Sequence, residues 1–176
     1  MSETALLVID AQIALLAEAW RADEIIAVIR DLQQRAREAG APVIFLQHNH
    51  HDYRPLMRGE ETWAIHPRLA PQSGDIVIEK TASDSFLGTT LHERLGRLRV
   101  RRLAITGLQT EFCVDATARE ALSLGYQVTL AADARTTGDA VMPAELTIRH
   151  HNHALGNLAH PTLSIAVTDG AEVRFA

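Results

Sequence analysis

The chain lacks most of the features that would place it in a specialised class. It has one cysteine in 176 residues, so no intramolecular disulfide can form. No stretch approaches the roughly 18 consecutive apolar residues of a membrane span. No basic stretch followed by an apolar run and a small-residue cleavage site opens the sequence, so a signal peptide is not expected, and the expected location is a reducing cytoplasm. Positive charge is not in excess. A net charge of −5 gives no electrostatic reason to expect nucleic acid or an anionic membrane as partner. Arg97, Arg99, Arg101 and Arg102 do cluster, but between a helix-like and a strand-like segment, where a solvated loop is the plainer account. No G-x-G-x-x-G follows the first strand and no G-x-x-x-x-G-K-[ST] occurs, so a nucleotide-binding module lacks its phosphate-cradling glycines.

What is present is an alternation of short apolar runs and longer amphipathic ones. Ala5 to Ile9 reads as a buried strand that stops at Asp10. Ala22 to Ala39 follows, with Ile25, Ile26, Ile29, Leu32 and Ala36 on one helical face, and Gly40 and Pro42 end it. Further strands are expected at Val43–Leu46, Asp75–Glu79, Leu103–Thr106, Gln127–Ala131 and Leu163–Val167. Helices are expected at about Thr89–Leu98, Phe112–Leu124 and Pro143–Leu158. Residues 48–74 are irregular and rich in His, Arg, Pro and Gly, and loops of this length in a compact domain are usually functional or mobile. Near-continuous apolar strands separated by helices imply a parallel sheet covered on both faces. The expectation is one domain over residues 1–176: a three-layer α/β/α, Rossmann-like fold with a mostly parallel six-stranded sheet.

In such sheets ligands bind beyond the carboxyl ends of the strands. Asp10 closes the first strand, Lys80 closes the third, and Cys113 lies just past the turn after the fourth. Each has an ordinary explanation by itself: an inert buried thiol, a turn-stabilising aspartate, a surface lysine. Together at three strand ends they read as a reactive constellation. In the first turn of a helix, with Lys80 nearby, Cys113 is expected to have a lowered pKa, and Asp10 can take its proton.

The segment Ile105-Thr106-Gly107-Leu108-Gln109-Thr110-Glu111-Phe112-Cys113-Val114-Asp115-Ala116-Thr117 resembles the nucleophile motif of isochorismatase-like cysteine hydrolases. Leu7-Val8-Ile9-Asp10-Ala11-Gln12 resembles that family's opening strand, and Glu79-Lys80-Thr81, with Ser85-Phe86 and Thr89 after it, the segment carrying its lysine. Ala131-Ala132-Asp133-Ala134 also fits, so the resemblance covers nearly the whole chain. It implies a Cys-Asp-Lys hydrolase acting on an amide or related C–N bond through a thioester. Asp10 is then the base, Cys113 the nucleophile and Lys80 its partner. It also implies a cis peptide at Leu108–Gln109, with the N–H groups of Gln109 and Cys113 holding the oxyanion.

The sequence departs from the family pattern in one loop. Nicotinamidases of the family carry an Asp-x-His and a later His that bind a metal, whereas Gln47-His48-Asn49-His50-His51 has no Asp at the expected place. This argues against nicotinamidase activity, and no metal or other cofactor is expected. True isochorismatases of this fold lack the cysteine, so Cys113 argues against that activity too. His150, His151 and His153 form a second cluster, read as structural or as a subunit contact. Trp63, His66 and Phe86 are candidate pocket walls, for which ordinary packing is an equal account. The expected partner is a small-molecule substrate, with neither nucleic acid nor membrane, in a homodimer or higher homo-oligomer. The competing reading is a catalytically idle binding or scaffold protein of the same fold.

Overall fold

The computed structural model describes residues 2–175. Six strands form one sheet: β1 (Thr4–Ile9), β2 (Val43–His48), β3 (Ile76–Lys80), β4 (Arg102–Gly107), β5 (Gln127–Arg135) and β6 (Ile165–Thr168). Their order is β3-β2-β1-β4-β5-β6, and every neighbouring pair is parallel. Five α-helices accompany them: α1 (Ile13–Leu16), α2 (Ala22–Glu38), α3 (Leu91–Arg97), α4 (Asp115–Ser123) and α5 (Ala144–Gly156). No described helix is long and apolar enough to cross a membrane.

The alternation of side chains along β1 explains the layers. Ala5, Leu7 and Ile9 enter one core with Leu91 and Leu95 of α3 and Ala118, Ala121 and Leu122 of α4. Leu6 and Val8 enter the other, against Ile25, Ile26, Ile29, Leu32 and Ala36 of α2. A strand apolar at every position is therefore required, because both of its faces are covered.

Four elements differ from the sequence expectation, one of them α1, where no helix is expected. β5 runs on to Arg135, because its last residues pair with Gly107 across a register shift in β4. Residues 48–74 hold three 3₁₀ turns, Arg54–Leu56, Glu61–Trp63 and Pro67–Leu69, rather than one open loop. The helix expected from Phe112 starts as a wide turn at Thr110–Val114, in which the Val114 N–H reaches back five residues to Gln109 O at 3.1 Å.

The winding reverses between β1 and β4, with β2 and β3 following on one side of this pair and β5 and β6 on the other. At their carboxyl ends Gly107 takes φ +110°, and a Cβ there would lie 2.0 Å from Ile9 O. Only glycine lets β4 pass this close to β1 before the chain turns toward the cysteine. Asp10, the next residue on β1, sits at φ 48°, a left-handed conformation that a short polar side chain tolerates.

Candidate active site

Asp10, Lys80 and Cys113 meet at the carboxyl edge of the sheet. Lys80 Nζ lies 2.8 Å from Asp10 Oδ2, with both side chains fully buried. One donor atom each from Asp10, His48 and Cys113 fall within 4.8 Å of one another. Lys80 also donates to Ala82 O at 3.0 Å and contacts His48 Nδ1 at 3.3 Å. Lys80 and Cys113 are the groups placed to donate to Asp10, whose oxygens accept no hydrogen bond from the other described residues. A buried carboxylate with spare acceptor capacity beside a thiol can take that thiol's proton.

The electrostatics correct one expectation. Burial first, and the Asp10 carboxylate second, push the Cys113 thiol up to about 12, with Lys80 pulling the other way. The lysine and the helix terminus favour the thiolate, but they are outweighed by the cost of creating a second anion beside Asp10 in a desolvated site. The resting cysteine is therefore a thiol, and the base has to act as attack begins. Against the penalty of burial, Asp10 and Cys113 hold the Lys80 ammonium above its ordinary range.

The turn before Cys113 carries the other parts. The Leu108–Gln109 peptide is cis. Leu108 N–H donates to Ile9 O at 2.9 Å and Thr110 N–H to Thr136 O at 3.1 Å, which pins the turn to β1 and to the end of β5. The Gln109 N–H donates to nothing among the described residues. The loop after Lys80 is tied to α4: Ser85 N–H donates to Thr117 Oγ1 at 3.1 Å, and that hydroxyl donates to Ser85 Oγ at 2.8 Å.

A cleft of about 290 Å³ opens over Cys113, walled by Asp10, His48, His50, Thr81, Gln109 and Phe112 among others. It shares Leu15, His50, Leu56, Gln109 and Phe112 with a larger cavity of about 620 Å³. None of Trp63, His66 and Phe86 lines this cleft. The Trp63 indole donates to His48 O at 2.9 Å, and the Trp63 carbonyl accepts from Gln12 and Gln47. His66 caps a 3₁₀ turn by accepting from Arg68 N–H. Phe86 is buried and stacks on Tyr126 at 6.0 Å between centroids. What sequence reasoning missed is Gln12. Fully buried, it bonds both the N–H and the C=O of His48, and so fixes the end of β2 beneath the site. A second polar residue two positions past Asp10, between the apolar first strand and the apolar Ile13–Leu16 run, was the available signal.

Among the described residues two groups of donor atoms are close enough to consider for a metal, Asp10/His48/Cys113 and His50/His51/Asp52. In the first, the Lys80 ammonium already stands against Asp10 and His48, where it opposes a cation. In the second, His50 Nδ1 accepts the Tyr53 N–H at 3.0 Å, and His51 and Asp52 project into solvent. Neither set is built as a resident metal centre. Of the second histidine cluster, on α5, His151 Nδ1 lies 2.8 Å from Thr147 O in the preceding turn of its own helix.

A model of the isochorismatase domain matches residues 4–170. Two streptothricin hydrolase sequences from Streptomyces noursei are each 36% identical over 87% of this chain, which spans only 65% and 59% of their lengths. Ureidoacrylate amidohydrolase RutB of Stutzerimonas stutzeri (strain A1501) is 32% identical over 76% of this chain and 69% of its own. Among solved structures, an isochorismatase from Pseudomonas putida KT2440 superposes with a TM-score of 0.87 at 28% identity, over 98% of this chain and 90% of that one.

Proposed function

Because the chain belongs to the isochorismatase family, we propose that it is a hydrolase that cleaves a carbon–nitrogen bond of a small amide-like molecule through a thioester on Cys113. The observation that carries this reading is the fully buried Asp10–Lys80 pair, at 2.8 Å, in one cleft with the cysteine. An ion pair so buried is a weak source of stability, which favours a chemical reason for its presence.

In this mechanism Asp10 accepts the thiol proton as sulfur attacks the substrate carbonyl. The tetrahedral oxyanion is held by the N–H groups of Gln109 and Cys113. The C–N bond then breaks, the departing nitrogen takes the proton from Asp10, and a thioester remains. Water, deprotonated by Asp10, attacks the thioester, the C–S bond breaks, and the sulfur recovers its proton. Lys80 stays protonated throughout and offsets the negative charge that passes between Asp10 and sulfur.

Residues 1–176 act in this reading as one catalytic domain in the cytoplasm. Exposed Phe112, which lines the larger cavity, and exposed Val141 and Met142, which follow its lining residue Ala140 in the chain, support a homodimer contact. A monomer by light scattering would remove that contact. For the chemistry, Cys113→Ala is the decisive variant. Screened for ammonia or acid release against small amides, ureido compounds and lactams, it should release nothing from any compound the native protein cleaves. Full turnover by that variant would refute the mechanism.

A further inference from the structure

His48 closes β2, the strand that separates β1 from β3, and the mechanism above does not use it. Its backbone is fixed: the N–H donates to Gln12 Oε1 at 2.9 Å, and the C=O accepts from Gln12 Nε2 at 3.0 Å and Trp63 Nε1 at 2.9 Å. Its ring walls the Cys113 cleft, and Nδ1 lies 3.3 Å from Lys80 Nζ. An ammonium has three donors and no acceptor, so Lys80 donates here and His48 Nδ1 accepts. The single proton of the neutral imidazole then resides on Nε2. The three Lys80 protons are shared among Asp10 Oδ2 at 2.8 Å, Ala82 O at 3.0 Å, His48 Nδ1, the more distant Ser83 O at 3.4 Å and the Cys113 sulfur. An ammonium so engaged has no proton left for a bound molecule, and a donor to the substrate has to come from elsewhere in the cleft.

We propose that His48 is a positioning residue that completes the acceptor set aiming Lys80 at Asp10, and that its Nε2–H binds an acceptor oxygen of the amide substrate. The proposal rests on the cysteine-hydrolase reading of the same cleft. Lys80 from β3, Asp10 from β1, Cys113 from the turn before α4 and His50 from its own loop all face the ring. Burial and the Lys80 charge hold His48 below the ordinary histidine value, so the ring stays neutral near pH 7. Once protonated, it would lose its acceptor and repel the ammonium.

Three variants separate the two roles. His48→Asn keeps an acceptor near the Nδ1 position and loses the distal donor. His48→Gln places an amide donor near the Nε2 position, and His48→Leu removes both. Alkylation of Cys113 by iodoacetamide reads the lysine without turnover, because the chain has no other cysteine. With Nδ1 gone, the third Lys80 proton shifts further toward the sulfur it already faces, so His48→Leu should alkylate severalfold faster at pH 9. Its kcat/KM should fall roughly 10- to 100-fold, the range found when a supporting hydrogen-bond partner is removed. His48→Asn should recover the native alkylation profile but keep a raised KM, and should lose the acidic limb of the native pH–rate curve. His48→Gln should recover KM. A folded His48→Leu with an unaltered alkylation profile overturns the positioning role, whatever its turnover. If the leucine variant does not fold, equal behaviour of the Asn and Gln variants overturns the proposal. Turnover in Cys113→Ala would instead defeat the underlying mechanism, leaving the alkylation result as a finding about Lys80 alone.

Discussion

Asp10→Asn should make the cysteine more acidic and the protein inactive. The substitution keeps the shape of the side chain and removes its charge. In the native site burial and Asp10 push the thiol to about 12, and Lys80 opposes them. The carboxylate and the sulfur are no more than 4.8 Å apart, so at an effective dielectric of about 20 their charges interact by about 3.5 kcal/mol. At 1.36 kcal/mol per pH unit, removing that repulsion brings the thiol down by roughly 2.5 pH units, to between about 9 and 10. The assay is the rate of iodoacetamide alkylation from pH 7 to 11, followed by mass of the intact chain. The variant should alkylate faster than native protein at every pH below 11, yet release no product from an accepted amide, because nothing takes the thiol proton during attack. An alkylation midpoint that stays put or rises would refute the electrostatic reasoning, and retained turnover would refute the assignment of the base.

Lys80→Met should lose about 3–5 kcal/mol of stability in urea, because it strands a fully buried carboxylate, and the double variant Asp10→Leu/Lys80→Met should recover much of that loss. Gly107→Ala, whose Cβ would fall 2.0 Å from Ile9 O, should give little soluble protein, and a native melting curve would refute the close-approach argument. Gln12→Leu removes the side chain that holds both polar groups of the His48 backbone and should cost about 2–4 kcal/mol by chemical denaturation, with KM rising as the cleft wall loosens. His48 has a folded pKa below its ordinary 6.5, so the unfolded chain binds its proton first as pH falls. Its contribution is intact above pH 6.5 and is lost as pH drops toward the folded value; native protein should therefore lose more stability below pH 6.5 than His48→Asn in paired urea titrations.

Asp10 and Lys80 were legible in the sequence because each stands where an apolar strand run stops, and Cys113 because it follows the turn after another such run; a group at or just past the end of a buried strand is placed by the strand itself. The layers were legible for the same reason: a strand apolar on both faces has to be covered on both. Trp63, His66 and Phe86 were not placed correctly. An aromatic residue in an irregular segment looks the same whether it walls a cleft or fills a core, and what decides is a long-range bond. The Trp63 loop is drawn under β2 by Gln12, which lies 51 residues earlier. The direction of the Cys113 shift was equally hidden. It depends on burial and on two opposing charges a few ångströms away, and sequence reveals the identities of those charges but not their distances.

The order of the strands explains why the third member of the constellation is a lysine. Asp10 and Cys113 follow β1 and β4, which are neighbours, so short side chains bring them together. Lys80 ends β3, which lies two strands from β1 with β2 between them, a separation of about 9.5 Å at the usual spacing. A cation carried on a four-carbon stem can cross that gap, and its charge ends beside Asp10 while its stem passes the end of β2. His48 pairs in register with Lys80 on the strand being crossed, so whatever residue stands there contacts the ammonium. A leucine at that position would turn one proton of a buried cation away from Asp10's side of the site and toward the sulfur, whereas a neutral imidazole supplies an acceptor and keeps its other nitrogen for the cleft.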